Sequence, residues 1–343
     1  MFADTERIGN AGAAARPVAI LGDGAMGTVC ALLLASGGTP VRLWGRSLEH
    51  VAAIRREREN RKYLPGFPLP SAVEVTHAAH EALADAQLIV VAVPCQHIRA
   101  VLTPISLHVP AGAALVSVAK GIEVHTLLRP TQVIRDILGE VPVAALSGPS
   151  IAPEVAAGKP ATVVAASEDL ELAERVQALF STRTFRVYTN TDLVGVELAG
   201  AVKNVIAIAA GICDSIGAGD NAKAALLTRG LVELTRLGVA LGAHAETFKG
   251  LAGVGDLVTT FFSPVSRNRT AGERIGRGVP VDEVIATTDS VIEGIPTTQA
   301  VLELAHSLNV EMPIVRAVYN VLFSRVPPPE ALDELMRRQL KPE

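Results

Sequence analysis

Short apolar runs alternate with helix-like segments through the first 190 residues of the chain, and this alternation limits its possible folds more than any other feature. Most of the runs are continuously apolar, which is typical of strands that helices cover on both faces. The predicted strands are 18–21, 41–44, 88–93, 114–119, 142–147, 161–166 and 185–188, and the predicted helices between them are 26–36, 47–61 and 170–180. The strand–helix–strand order predicts an open, mostly parallel sheet with right-handed crossovers.

The strand signal fades near residue 192, where the sequence becomes rich in Ala, Leu and Gly at helical spacing. We therefore predict an α/β domain over 17–192 and an all-helical domain over 193–343, with residues 1–16 as a flexible extension. The clearest helical patterns of the second domain are 228–241, 297–308 and 330–339, the last of them after three consecutive prolines.

Composition excludes several classes of protein. The chain of 343 residues is 49% hydrophobic and 19% charged, which excludes a disordered protein. A net charge of −4 and an aromatic content of 3% argue against nucleic-acid binding. Three scattered cysteines and eight histidines form no set with metal-ligand spacing, so no metal is expected. No signal-peptide pattern begins the chain, and the longest apolar stretch, 205–213, is too short for a membrane span. We expect a soluble cytoplasmic protein without stable membrane insertion.

A glycine-rich segment, Gly22-Asp23-Gly24-Ala25-Met26-Gly27, follows the first predicted strand and opens the first predicted helix. In this context a G-x-G-x-x-G pattern indicates dinucleotide binding. Gly22 would form the tight turn, Gly24 would let the backbone approach a pyrophosphate, and Gly27 would let helix and strand pack closely. The start of the helix would add amide donors for the phosphates. This favours a Rossmann-type domain over a purely structural turn.

The end of the second predicted strand bears on which dinucleotide is bound, because an acid there grips the ribose 2′-hydroxyl of NAD. Here the strand ends Trp44-Gly45-Arg46-Ser47, and the first acid is Glu49. Arg46 fits the 2′-phosphate of NADP, so NADP(H) is favoured and NAD(H) stays possible. In the alternative interpretation, Arg46 is an ordinary solvated charge and Ser47 only caps the next helix.

Two polar positions follow predicted strands, at the edge where open α/β sheets bind ligands. Lys120 follows one strand, and Gly148 and Ser150 form a small, tight turn after another. These positions predict a ligand site at the carboxyl ends of the strands.

The helical domain contributes further candidates. Lys203 and Asn204 are the strongly polar residues of an otherwise apolar helical run. A lysine in such a run either extends to solvent or lies in a dry pocket with a lowered pKa. Asp256 adds a carboxylate, and residues 266–269, Ser-Arg-Asn-Arg, form a compact anion-binding set.

With these residues the chain resembles the bacterial NAD(P)-dependent glycerol-3-phosphate dehydrogenases. The resemblance covers nearly all of 17–340. The AVKN, GDL and SRNR segments together are specific to this family, whereas the glycine loop alone is not specific. The matching segments are 22–28, 43–46, 63–66, 119–123, 147–162, 200–217, 228–234, 250–260, 266–269, 291–298 and 310–314.

The resemblance implies the reversible NAD(P)H-dependent reduction of dihydroxyacetone phosphate to sn-glycerol 3-phosphate, which supplies phospholipid synthesis. By resemblance Lys203 is the general acid/base, Lys120 binds and polarises the substrate, and Asp256 anchors the substrate or orients Lys203. Asn204 supports the same site. The remaining implied contacts are Gly148 and Ser150 on the substrate side, and Ala25, Met26, Lys120, Ala152, Arg267, Val291 and Glu293 on the cofactor side.

The substrate phosphate has its own candidate residues. Ser266, Arg267 and Asn268 fit it, because arginine offers a planar fork of donors and a helix start adds amides. Arg269 is interpreted as a structural charge, and Glu293 has the alternative role of a helix cap. The resemblance also implies a homodimer.

The chain departs from the family pattern at several positions. Asp23 stands where alanine is usual, Ala25 where a hydroxyl is common and Met26 where an aromatic residue is common. Ala218 stands where an aromatic residue is expected, and Asp220 where a small residue is expected. Asp23 and Ala25 bear on cofactor affinity rather than on the chemistry. Two other functions stay open. One is a related two-domain Rossmann reductase of another keto or hydroxy acid, and the other is a non-catalytic dinucleotide-binding paralogue.

Overall fold

The computed structural model describes residues 16–288 and 290–340, so residues 1–15 of the predicted extension lie outside the described part. The chain forms two compact units. Unit 1 comprises the chain up to Ala119 together with Pro130–Leu193, and unit 2 comprises Lys120–Arg129 together with the chain from Val194 onward. The sequence analysis placed 120–129 in the α/β domain, whereas contacts place this segment in unit 2, where Lys120 bonds to Asp256.

Unit 1 contains an eight-stranded sheet of order β3-β2-β1-β4-β5-β6-β7-β8. Every neighbouring pair is parallel except β6 and β7, which are antiparallel. This confirms the predicted Rossmann-type, mostly parallel sheet. The strands are β1 Val18–Leu21, β2 Val41–Trp44, β3 Val73–Thr76, β4 Leu88–Val91, β5 Ala114–Ser117, β6 Val143–Ser147, β7 Ala161–Ala166 and β8 Phe185–Asn190.

The edge strand β3 was not predicted from the sequence. Its short run alternates, with Val73 buried and Glu74 exposed, because one face of an edge strand meets solvent. The continuously apolar pattern of the central strands is therefore missing, and a four-residue alternating run gives a weak signal.

Seven helices surround this sheet within the described part of unit 1. The predicted helix 47–61 is shorter in the structure, because Arg58 adopts the left-handed conformation with a φ of 52° and ends the helix. The seven are α1 Ala25–Ser36, α2 Leu48–Glu57, α3 Ala79–Leu83, α4 Ile98–Ile105, α5 Pro130–Leu138, α6 Ala152–Ala156 and α7 Leu170–Phe180.

All the secondary-structure elements of unit 2 are helices within its described residues, which confirms the predicted all-α second domain. The last helix begins inside the triple proline, because proline is well tolerated in a first helical turn. The helices are α8 Leu193–Ser215, α9 Asp220–Ala240, α10 Ala245–Lys249, α11 Asp256–Phe262, α12 Arg267–Gly276, α13 Val281–Ala286, α14 Gly294–Ser307, α15 Pro313–Phe323 and α16 Pro328–Met336.

Helix α8 is much longer than the apolar stretch 205–213 suggested. It runs for 23 residues through Lys203 and Asn204, and its length and composition would allow it to cross a membrane. However, 94% of its most apolar window is buried inside the protein, as in the core helix of a globular domain. Lys203 and Asn204, near the middle of α8, are therefore held within the protein interior.

Candidate active site

The side chain of Lys203 is buried at the middle of α8, with 7% of it exposed. Its Nζ donates hydrogen bonds to Oδ1 of Asp256 at 2.5 Å and to Oγ1 of Thr260 at 2.7 Å. Of the two interpretations that the sequence left open, the structure supports the dry pocket rather than a lysine extended to solvent.

Asp256 joins two lysines. Its Oδ2 accepts a hydrogen bond from Nζ of Lys120 at 2.7 Å, while Oδ1 accepts from Lys203. The Asp256 side chain is 2% exposed and that of Lys120 is 15% exposed, so the cluster opens to solvent mainly on the Lys120 side. We call Lys120, Lys203, Asp256 and Thr260 the lysine–aspartate cluster. Two ammonium groups share one carboxylate in it, which favours a ligand with negative charge.

The local backbone explains how Asp256 and Thr260 reach this place. A π-helical turn, Leu251–Gly255, directly precedes α11, and such turns are frequent at functional sites. A Cβ on Gly253 would lie 2.0 Å from the Phe248 carbonyl oxygen, so this close approach requires glycine. Asp256 and Thr260 are then one helical turn apart on the same face of α11. Thr260 was not predicted as a site residue, although its spacing from Asp256 in GDLVTT was a usable signal.

Burial of the Lys203 ammonium lowers the pKa of Lys203 to about 7. Asp256 opposes this shift, while the like charge of Lys120 adds to it. A lysine with a pKa near neutrality can both donate and accept a proton under ordinary conditions, which is what a general acid/base requires.

A chain of amide hydrogen bonds supports the cluster. Asn204 Nδ2 donates to the Lys120 carbonyl oxygen at 3.2 Å, and Asn268 Nδ2 donates to Asn204 Oδ1 at 2.9 Å. The Gly294 amide donates in turn to Asn268 Oδ1 at 2.9 Å. Asn268 is buried, and these bonds give it a positioning role for Asn204 and the start of α14. The expected role of Asn268 toward the substrate phosphate stays a prediction.

Close packing of α8 and α12 allows this chain of amides. A Cβ on Gly211 would lie 2.0 Å from the Arg269 carbonyl oxygen, and a Cβ on Gly272 would lie 2.1 Å from the Ile208 carbonyl oxygen. Two glycines thus let the helix backbones touch, which brings the asparagines into hydrogen-bond range one turn away.

The other anion-binding candidates lie at the start of α12. Ser266 caps the helix by accepting a hydrogen bond from the Arg269 amide at 3.4 Å. Arg267 is exposed, and its Nη1 donates to the Val291 carbonyl oxygen at 3.0 Å, so two predicted cofactor-side residues lie together. Arg269 pairs with Asp214 at 2.7 Å and is a structural charge, as the sequence suggested. Glu293 directly precedes α14, and its side chain makes no capping hydrogen bond.

In unit 1 the glycine loop has the geometry that dinucleotide binding needs. Gly22 has a φ of +115°, and a Cβ there would lie 2.7 Å from the Ala92 carbonyl oxygen. A Cβ on Gly27 would lie 1.9 Å from the Gly22 carbonyl oxygen, so only glycine permits this helix–strand contact. In contrast, a Cβ on Gly24 would meet nothing within 4 Å. The backbone at Gly24 therefore faces open space that a pyrophosphate fits.

The first turn of α1 borders the same open space. Gly24 precedes the helix without a side-chain cap, and the first intrahelical bond runs from the Thr28 amide to the Gly24 carbonyl oxygen. The amides of Ala25 and Met26 are thus left for an anion. Asn60 fixes the loop from outside, because its Nδ2 donates to the Asp23 carbonyl oxygen and to Thr28 Oγ1, both at 2.8 Å. Nothing in the sequence pointed to Asn60.

The remaining predicted positions of unit 1 follow strand ends. Gly148 has a φ of +131°, and Ser150 Oγ donates to the Gly148 carbonyl oxygen at 2.9 Å, which gives a tight turn after β6. Ala152 begins α6. Arg46 is exposed after β2, and Ser47 caps α2 by accepting from the His50 amide. Within the described residues no group of three or more His, Cys, Asp or Glu side chains could hold a metal ion.

Comparison with known proteins agrees with both halves of this description. Residues 17–173 match the N-terminal region of NAD-dependent glycerol-3-phosphate dehydrogenase, and residues 192–333 match its C-terminal region. The chain is 50% identical to the glycerol-3-phosphate dehydrogenase [NAD(P)+] of Pelodictyon phaeoclathratiforme, over 95% of this chain and 99% of that protein. It is also 50% identical to the Thermobifida fusca protein of the same name, over 95% and 98% of the two chains.

A solved structure gives the same result. The crystal structure of glycerol-3-phosphate dehydrogenase from Coxiella burnetii superposes with a TM-score of 0.91 at 39% identity, covering 94% of this chain and 99% of that one. Identity at this level over nearly the whole length shows common family membership. The chain therefore belongs to the NAD-dependent glycerol-3-phosphate dehydrogenase family.

Proposed function

We propose that this protein catalyses the reversible NAD(P)H-dependent reduction of dihydroxyacetone phosphate to sn-glycerol 3-phosphate. The observation that carries the proposal is the buried Lys203, held by Asp256 and Thr260 beside a second lysine, in a member of this family. The family match and the relatives' names support the substrate and the redox chemistry.

The residues of unit 2 fit the proton chemistry of this reaction. When bound, the dinucleotide supplies or accepts the hydride at C2 of the substrate. In the reduction, negative charge grows on the C2 oxygen, and the Lys203 ammonium stabilises it and then donates a proton to it. In the oxidation, neutral Lys203 takes that proton back. Asp256 holds Lys203 in position and stabilises its charged form, and Lys120 adds a second cation for the same oxygen.

The glycine loop and neighbouring groups fit the dinucleotide. Gly22, Gly24 and Gly27 supply the shape, and the amides at the start of α1 supply donors for the pyrophosphate. The exposed Arg46 fits a 2′-phosphate, so we propose that NADPH is favoured over NADH. Arg267, with the Val291 carbonyl as its partner, contributes on the cofactor side as well as toward the substrate phosphate.

The cellular setting follows from the reaction. The product is a phosphorylated glycerol, so we propose that the enzyme supplies glycerophospholipid synthesis from the cytoplasm. We further propose a homodimer, which the family resemblance implies.

A substrate comparison tests the reaction and the phosphate site together. We expect the purified protein to oxidise NADPH or NADH with dihydroxyacetone phosphate and to reject 2-keto acids. Arg267→Ala should raise the KM for dihydroxyacetone phosphate by about tenfold to a hundredfold, because a charged hydrogen bond to phosphate is lost. Steady-state absorbance of the reduced cofactor measures both effects.

Unphosphorylated dihydroxyacetone is the control substrate, since its KM should not change in Arg267→Ala. Equal changes for both substrates would contradict the phosphate assignment of Arg267. No turnover of dihydroxyacetone phosphate with either cofactor, despite cofactor binding, would overturn the proposed function and favour the non-catalytic alternative.

The pH dependence should reverse between the two directions. Because the pKa of Lys203 is lowered to about 7, kcat/KM for the reduction should fall about tenfold per pH unit above that value, as Lys203 loses its proton. For the oxidation, kcat/KM should fall as the pH drops below it. Profiles of kcat/KM against pH, recorded for both directions in one buffer series, measure these two falls. We call them the alkaline limb of the reduction and the acid limb of the oxidation.

Lys203→Arg is the control for this assignment, because arginine stays protonated. It should lower the rates of both directions, remove the alkaline fall of the reduction, and let kcat/KM for the oxidation keep rising with pH above 7 instead of levelling off. If that variant kept the wild-type limbs, the titrating group would not be Lys203.

A further inference from the structure

Asp23, one of the departures from the family pattern, places its carboxyl group against the end of β2. A Cβ built on Gly45 would lie 2.1 Å from Asp23 Oδ2 and 2.6 Å from its Cγ. The carboxyl group thus fills the space in which a side chain at position 45 would begin. Glycine at position 45 is what makes room for it.

This location matters because of what usually stands there. In dinucleotide-binding sheets, an acid at the end of the second strand accepts a hydrogen bond from the ribose 2′-hydroxyl. In this chain the strand ends in Gly45 and Arg46, with no acid. Asp23 brings a carboxylate to the same place from the glycine loop.

We propose that Asp23 helps the enzyme to distinguish NADH from NADPH at the 2′ position of the cofactor ribose. Its carboxylate accepts a hydrogen bond from the 2′-hydroxyl of NADH and repels the 2′-phosphate of NADPH. Arg46, exposed next to Gly45, has the opposite effect, because its positive charge attracts the 2′-phosphate. The balance of these two charges then sets how the enzyme uses the two cofactors. This inference rests on the dinucleotide site of the proposed function.

The surroundings of Asp23 leave hydrogen-bonding capacity unused. Asp23 Oδ2 and His50 Nε2 are both buried without a hydrogen-bond partner, and they lie 3.8 Å apart. The Asp23 side chain as a whole is 17% exposed and that of His50 is 16% exposed, so other atoms of both side chains reach the surface. Buried polar groups are rarely left unpaired, and an unpaired one calls for an explanation.

The backbone of Asp23 and the ring of His50 are each held by a neighbour. Asn60 holds the Asp23 carbonyl oxygen, and the His50 ring packs edge-on against Tyr63 with the ring centroids 5.3 Å apart. Burial raises the pKa of Asp23, while the charges of His50 and Lys62 act against that rise. His50 and Lys62 thus lie close enough to the Asp23 carboxyl group to influence its charge.

Cofactor affinities of charge variants test the proposal. We would measure the Kd of NADH and of NADPH by calorimetry for the wild type, Asp23→Asn and Asp23→Ala, and the KM of each with dihydroxyacetone phosphate. Asp23→Asn removes the charge and keeps the shape. Both variants should shift the ratio of the two Kd values toward NADPH by about tenfold, equal to ~1.4 kcal/mol.

Arg46→Ala is the matched control, since it should shift the same ratio toward NADH. An unchanged ratio in Asp23→Asn would overturn the proposal. So would an equal loss of both affinities in both variants, because that pattern means a structural role for the loop. Binding is measured without turnover, so failure of the dehydrogenase reaction and failure of the Asp23 proposal are separate results.

Discussion

Replacing Lys203 by alanine is expected to lower kcat for dihydroxyacetone phosphate reduction by about 10³-fold or more. General acid catalysis and the stabilisation of charge on the reacting oxygen each contribute factors of 10² or more, and Lys203 is proposed to supply both. The KM should change far less, since Lys120 and Arg267 keep their contacts. Steady-state kinetics with saturating NADPH and NADH measure the loss.

The Lys203→Ala variant should still fold. Asp256 keeps Lys120 as a partner at 2.7 Å, so its carboxylate is not left as an uncompensated buried charge. Lys203→Met is the matched control for side-chain volume and should be equally inactive. Small primary amines added to Lys203→Ala should restore part of the activity. Residual activity within tenfold of the wild type would rule Lys203 out as the acid/base.

Asp256→Asn is expected to lower kcat by about 10²-fold and to move the alkaline limb of the reduction to lower pH. Asp256 raises the pKa of Lys203 against burial, so its removal leaves only influences that lower that pKa. At pH 7 Lys203 would then be largely neutral and unable to donate. The shift of the limb, read from kcat/KM profiles, separates this effect from a general loss of structure.

Thr260→Val is the comparison variant, because it removes a hydrogen bond to Lys203 but leaves the charges in place. Its loss of activity should be about tenfold, and its pH limb should stay near that of the wild type. If Asp256→Asn lost activity with an unmoved limb, Asp256 would contact the substrate rather than set the protonation of Lys203.

Much of the fold could be predicted because its signals are local. The central strands of unit 1 are apolar runs, and Gly22 and Gly27 stand between a strand and a helix, where backbone geometry alone requires them. The end of α2 could not be predicted in this way. Arg58 takes the left-handed conformation there, and its guanidinium bonds to backbone carbonyls of the segment leading into β3, a contact that only the folded chain provides.

For the site, the sequence identified groups but not their partners. Lys203 and Asp256 stood out because a charge in an apolar helix or a glycine-rich segment is unusual. The role of Asn268 toward the substrate phosphate stays a prediction, but its hydrogen bonds to Asn204 and Gly294 join separate helices and gave no signal in the sequence. Asn60 gave no signal, since its function depends on a loop that lies 32 or more residues earlier in the chain.

Lys120–Arg129 belongs to unit 2, although the chain on either side of this segment belongs to unit 1. A gene exchange at the apparent junction near residue 192 would separate Asp256 from Lys120 and replace one cation of the cluster by that of another lineage. The catalytic half is thus discontinuous along the gene. Chimaeras between relatives should be functional only in two cases. Either residues 120–129 are exchanged together with the helical half, or the two relatives have compatible residues in this segment.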